Sequence, residues 1–285
     1  KLFNGKTTRV LFACGYSDRH ISEMVRSAYQ QCGFKPKSTL NDFSEYDSSV
    51  GDASIDFDCW LIRMCGAPNH IVDDFKRRRN CWDVSLKTNG AEPASASGVC
   101  YDKQTSGNMY TLVLNTMNNI AIVYAILDMN DIVLNLFKGD DSGINARDIT
   151  IRSEVQQLFM RGGYKFKIAT TECPEFATFF YGKHGFFPDV YRKCARLLSR
   201  VIPNEAEFEQ LMRNVENDMS VILCDDAIEY YAAMSVMHYF NHGFNITRGD
   251  IYNCYNFLRH ARTQLDWKQK YDTESCITYF KEGGM

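Results

Sequence analysis

"LFKGDDSGI", Leu136 to Ile144, sets two aspartates side by side behind a glycine, with apolar residues on both flanks. Adjacent carboxylates repel, and apolar neighbours raise the cost of keeping both charged. The stretch therefore calls for a compensating partner: a metal ion, an arginine or water. Its flanks read as strands, Ile132 to Phe137 before the acids and a shorter one near Ile144 after them. Asp140 and Asp141 then stand at a hairpin tip, where side chains project away from a sheet and can reach a metal.

Two upstream stretches add to this one. In "NDFSEYDSS", Asp42 ends an extended run from Lys35 to Phe43, and Asp47 follows five residues later. A strand-end Asp42 beside Asp140 would form a carboxylate pair on rigid elements, able to hold two Mg²⁺ roughly 3.5 to 4 Å apart for in-line phosphoryl transfer. "SGNMYTLVLNT", Ser106 to Thr116, is a Ser-Gly turn running into a long helix, Asn108 to Leu127, with Val113, Met117, Ile120 and Tyr124 as its apolar face. Thr111 and Asn115 are four apart and share a side of that helix.

Taken in order, the three elements resemble motifs A, B and C of viral RNA-dependent RNA polymerases. D-x4-D is met by Asp42 and Asp47, S-G-x3-T-x3-N by Ser106, Gly107, Thr111 and Asn115, and G-D-D by Gly139, Asp140 and Asp141. The wording is most similar to the alphavirus-like supergroup of positive-strand RNA viruses, and within it to hepatitis E virus-like polymerases. "NDFSEYDS" and "FKGDDS" carry that likeness, and "GYKFKI" with "FPDVYRK" is similar to motif D and the segment after motif E. The match covers about Arg9 to Arg200.

The resemblance implies an α+β right-hand polymerase: an antiparallel palm sheet with helices on one face and partial fingers in residues 1–200, and a mostly helical thumb in 201–285. It implies two Mg²⁺ or Mn²⁺ ions held by Asp42 and Asp140, with Asp141 nearby as a weaker or structural ligand. Asp47 and Asn115 would read the ribose 2′-hydroxyl, and Ser106 and Gly107 would touch the template or nascent base pair. Lys165 or Lys167 would be the general acid that protonates pyrophosphate. Reverse transcriptases usually carry an aromatic gate at the Asp47 position, so the chain reads as RNA-making.

Basic residues supply the expected RNA contacts: Arg77 and Arg78 in "KRRRN", Lys183 at the "GKHG" hairpin tip, and Arg192 and Arg196 further on. The partners implied are an RNA template and nascent strand, nucleoside triphosphates, and helicase and capping domains of a larger polyprotein. The setting implied is the host cytoplasm, at membrane-associated replication complexes. The basic fingertip motif expected upstream of motif A has no match in Lys1 to Thr39, and the chain starts without Met. A piece of a longer protein is therefore expected, and the competing reading is a palm and thumb fragment serving as an RNA-binding or assembly module.

Composition is consistent with a folded domain: 285 residues, 45% hydrophobic, 13% aromatic and six prolines. A net charge of −3 withholds any global signal for nucleic acid. Eleven cysteines without a C-x-x-C pair point to scattered thiols in a reducing compartment. No apolar run reaches the length of a membrane span. His238 and His242 have i, i+4 spacing but lack the glutamate of a zinc-protease helix, which favours a packed pair.

Overall fold

The computed structural model describes residues 9–43, 46–87, 95–101 and 110–265. The side chains of Asp42, Asp47, Ser48, Asn80, Trp82, Val84, Leu86, Lys87 and Cys100 lie outside that description. The chain forms two compact units, each assembled from two stretches of sequence: Lys1–Cys14 with Thr39–Thr170, and Gly15–Ser38 with Thr171–Met285. No helix among the described residues is long and apolar enough to cross a membrane.

The first unit is built on a six-stranded sheet of β1 (Val10–Phe12), β2 (Lys37–Phe43), β5 (Leu127–Ile132), β6 (Asn135–Lys138), β7 (Asp141–Ile151) and β8 (Phe166–Thr171). The order is β1-β6-β7-β2-β8, with β5 also on β7. β1 pairs parallel with β6, while β5 and β6 both run antiparallel to β7. β7 is long enough to serve two neighbours on one side. Its start meets β6, with Lys138 opposite Asp141, and its end meets β5, with Leu127 opposite Ile151. The helices are α2 (Tyr46–Ser49), α3 (Asp52–Met64), α4 (Asn69–Asn80), α5 (Thr111–Ile126) and α6 (Ser153–Arg161). A ribbon of β3 (Cys81–Lys87) and β4 (Ser95–Tyr101) completes the unit. Phe43, Tyr46, Ile55, Val72, Ile122, Ile126, Phe137, Ile144 and Phe166 close one core between sheet and helices.

The second unit contains α1 (Asp18–Gln30), the three-stranded sheet of β9 (Glu175–Phe176), β10 (Phe179–Gly182) and β11 (Gly185–Pro188), and helices α7 (Val190–Ser199), α8 (Glu205–Met219), α9 (Ala227–Asn241), α10 (Arg248–Arg259) and α11 (Ala261–Gln264). Sequence chemistry sets the helix starts. Ser17 accepts from the His20 amide, Asn204 from the Glu207 amide, and Thr247 and Asp250 form a capping box. β10 and β11 are buried at every position and carry Phe179, Phe180, Tyr181, Phe186 and Phe187, so the hairpin is an aromatic slab inside this unit.

The strands expected around the acids and the long helix are present, with differences at their boundaries. The long helix ends at Ile126, and the next six residues form β5, which the acidic composition of "LDMNDI" hid. β7 is far longer than the short strand expected near Ile144 and continues to Ile151. β4 begins at Ser95 in a stretch of small residues, where pairing of Lys87 with Ser95 overrides the weak strand propensity of Ser, Ala and Gly. On α5 the expected apolar positions lie at the margin of the buried face, with Met117, Ile120 and Tyr124 half-buried and the last two packed against the core. Val113 is exposed, whereas Leu114, Asn115, Thr116, Asn118, Asn119, Ile122 and Val123 are buried.

Ser22 of α1 locks the hairpin turn of the second unit. Its hydroxyl donates to the Val221 carbonyl at 2.7 Å and accepts from the Phe186 amide at 2.8 Å. Gly185 sits against it with φ of +89°, and a Cβ there would lie 2.5 Å from Ser22 Oγ and 2.8 Å from the Ser22 carbonyl. Gly185→Ala should therefore cost about 3 kcal/mol through left-handed strain and overpacking. Urea unfolding checks this, and a stability equal to wild type would contradict the packing described.

Candidate active site

Gly139 and Asp140 form a two-residue turn between β6 and β7. Gly139 has φ of +63°, and Asp140 is not among the left-handed residues. Glycine first, with only that position at positive φ, is the type II′ pattern that matches the twist of the flanking strands. The Asp140 and Asp141 side chains are exposed, while Gly139 and Ser142 on either side are buried.

The inner side of this turn is tied to α5. Thr116 Oγ1 donates to the Leu112 carbonyl at 2.6 Å and accepts from the Gly139 amide at 2.7 Å. Asn119 Nδ2 points at three successive carbonyls: Gly139 at 3.2 Å, Asp140 at 2.8 Å and Asp141 at 3.2 Å. Behind the turn, Asn145 takes the Asn135 side-chain oxygen on its amide at 3.1 Å and donates its own side chain to the Leu134 carbonyl at 2.7 Å. Asn135 in turn donates to the Tyr124 hydroxyl at 3.0 Å. These buried asparagines fix the hairpin register from within.

The structure brings Thr111, at the start of α5, and Asn115, one turn on and buried, onto the same helix that carries the turn. Asp42 is the penultimate residue of β2, the strand next to β7, so the first acid lies on the strand neighbouring the one that Asp141 begins. Asp47 lies in α2. Ser106 and Gly107 fall outside the described residues. Among the described residues, to which the Asp42 side chain does not belong, no three acidic, cysteine or histidine side chains form a metal cluster.

Lys167 lies on β8 and Lys165 just before it, both exposed on either side of buried Phe166. Arg77 and Arg78 are exposed and both engage Asp74, Arg78 at 2.7 Å. In the second unit, Lys183 lies 4.8 Å over the Tyr230 ring, Arg192 pairs with Glu175 at 2.9 Å, and Arg196 is exposed on α7. His242 places Nδ1 2.8 Å from the His238 carbonyl, which makes that nitrogen a donor in a local packed pair.

Spacing arguments missed several polar residues: Thr116 and Asn119 at the turn, and a buried triad beside it in sequence. Asn118 donates to Asp58 at 2.6 Å, and Arg79, last arginine of the basic run, lies 3.5 Å from the same carboxylate. Both charged side chains are almost wholly buried. The signal available was the polar run "NTMNN" inside an otherwise apolar helix.

Matched against known protein families, residues 7–266 fit the RNA dependent RNA polymerase model. The chain belongs to that family. The non-structural polyprotein pORF1 of avian hepatitis E virus (isolate Chicken/California/Meng) is 30% identical over 161 residues, 56% of this chain and 10% of the polyprotein. That of hepatitis E virus genotype 2 (isolate Human/Mexico) is 28% identical over 210 residues, 73% of this chain and 12% of the polyprotein. The polymerase chain thus spans about a tenth of the length of these curated relatives, and they bear out the alphavirus-like, hepatitis E virus-like resemblance of its motifs. A crystal structure of the RNA-dependent RNA polymerase of a human picobirnavirus superposes with a TM-score of 0.53 at 12% identity, covering 89% of this chain and 50% of that one. Its insertion-loop deletion mutant gives 0.53 at 13%, covering 90% and 54%. The fold is that of a viral polymerase, with palm-type sheet and helices.

Burial pushes the Asp58 carboxyl up to about 6, against the opposing pull of Arg79 and of the Asn118 amide. The folded value lies above the unfolded one of about 3.9, so the folded polymerase binds the extra proton between them. Stability from this group is therefore lost as pH rises from about 4 to about 6, by roughly 3 kcal/mol at 1.4 kcal/mol per unit. Asp58→Asn should remove that component of the pH slope in urea titrations between pH 4 and 7. An unchanged slope would show that Asp58 keeps the same proton affinity in both states.

Proposed function

We propose that this domain is the template-directed RNA polymerase of a positive-strand RNA virus replicase, extending an RNA 3′ end with nucleoside triphosphates. The observation that carries the reading is the turn itself: two adjacent carboxylates exposed at a tight hairpin whose main chain is anchored to the helix bearing Thr111 and Asn115.

The donors fit a hard divalent cation. Asp140 and Asp141 present exposed carboxylate oxygens, while the polar main-chain groups beside them are engaged by α5. Asp42 and Asp140 would hold two Mg²⁺ or Mn²⁺ ions, with Asp141 as an additional ligand. When bound, the ions would lower the pKa of the attacking hydroxyl and neutralise charge on the leaving group. The RNA 3′-oxygen attacks the α-phosphorus, the bond to the bridging oxygen breaks, and pyrophosphate leaves.

Around that exchange, Asp47 and Asn115 hold the ribose 2′-hydroxyl and select ribonucleotides. Ser106 and Gly107 meet the template or the nascent pair. Lys167 or Lys165 delivers a proton to pyrophosphate as it leaves. Arg77, Arg78, Lys183, Arg192 and Arg196 bind RNA phosphates, the first two by exchanging Asp74 for phosphate. Residues 1–200 act as palm with partial fingers and 201–285 as thumb, within a polyprotein that also carries helicase and capping domains and works at membranes of the host cytoplasm.

The test is Mg²⁺- or Mn²⁺-dependent nucleotide incorporation on a primed RNA template, with Asp140→Ala as comparison. Wild type should extend the primer and Asp140→Ala should lose activity by about three orders of magnitude or more. Equal activity in the two proteins would remove Asp140 from the chemistry, and RNA binding without any incorporation would turn the domain into a binding module.

A further inference from the structure

Three observations converge on the buried face of α5. Thr116 and Asn119 are three residues apart, on one side of the helix, and both are completely buried. Between them they take the Gly139 amide and the carbonyls of Gly139, Asp140 and Asp141. No side chain of the acids is needed for this grip, which acts on the backbone alone.

The orientation of Asn119 is settled by chemistry. Turning its oxygen toward three carbonyl oxygens would place acceptor against acceptor, so the Nδ2 group must face them. The result is that Oδ1 is buried with no hydrogen-bond partner among the described residues. Thr116 shows the same economy. Its one proton goes to the Leu112 carbonyl, its oxygen takes the Gly139 amide, and the Cys14 thiol 3.4 Å away is left as a donor to that oxygen.

We propose that Thr116 and Asn119 are positioning residues of the metal site: they hold the Gly139–Asp141 backbone so that the turn carboxylates converge on the ions, and thereby set the metal requirement. The inference rests on the polymerase reading for the identity of the ions as catalytic. It differs from a stability role because losing the grip changes the aim of Asp140 and Asp141 even where the sheet persists. Groups that orient metal ligands in this way commonly control affinity without touching the metal.

The experiment compares wild type, Thr116→Val, Thr116→Ser and Asn119→Leu of this chain. Folding is followed by circular dichroism and urea unfolding, and Mn²⁺ binding by electron paramagnetic resonance without RNA or nucleotide. Mg²⁺ dependence of nucleotide incorporation is measured alongside. In folded protein, Thr116→Val and Asn119→Leu should bind Mn²⁺ about tenfold more weakly, while Thr116→Ser, which keeps the hydroxyl, should stay close to wild type. The half-saturating Mg²⁺ for incorporation should rise in parallel.

Should Asn119→Leu fail to fold, the valine and serine pair at position 116 decides alone. Wild-type Mn²⁺ affinity in folded Thr116→Val, or a loss in Thr116→Ser as large as in Thr116→Val, would overturn the proposal. A wild type that binds no Mn²⁺ would overturn it too. A Mn²⁺ shift in a chain that incorporates no nucleotide would uphold the positioning role and remove the catalytic reading instead.

Discussion

Everything at the turn depends on a helix that buries its polar side. α5 gives up an ordinary apolar contact at Thr116 and Asn119 in order to hydrogen-bond the backbone of a two-residue hairpin. A II′ turn alone fixes the path of the chain but leaves it at the edge of the sheet, open to fraying. Four main-chain groups of the turn now end on two rigid side chains of one helix, so Asp140 and Asp141 inherit the order of the core while remaining exposed to solvent.

The same economy recurs around the site. Asn135 and Asn145 are buried between strands and cross-connect β6, β7 and Tyr124. Asp58, Arg79 and Asn118 bury a charge pair with an amide between three helices. Each polar group left unsatisfied in such a place costs about 1 to 3 kcal/mol, and the contacts these side chains make with one another offset part of the cost of burying them. The basic run shows how burial divides one string of like residues. Arg77 and Arg78 lie outside on Asp74, and Arg79 lies inside on Asp58.

Glycine followed by two aspartates is by itself an ordinary polar turn, and the acids were legible because the stretch lies between strand-like runs and follows the two upstream motifs in order. The order of the three motifs added the fold, and the family match and the viral polymerase neighbours agree with it. The long helix α5 was also readable from the run after the Ser-Gly turn, although it ends at Ile126. Apolar periodicity failed where polar groups are the buried ones. It placed the exposed Val113 on the covered side of α5, and it could not find Thr116 or Asn119, whose partners are backbone atoms some twenty residues away in sequence. It also missed β5, whose residues are strand only because the end of β7 pairs with them.

The account stands on the turn acids and the neighbouring strand-end acid sharing metal. Diffraction from crystals of the chain soaked in Mn²⁺, recorded at the manganese absorption edge, tests this most directly. Anomalous density within coordination distance of the Asp140 and Asp42 carboxylates is the predicted result. Density elsewhere at saturating Mn²⁺, with Asp140 touching no ion, would contradict it.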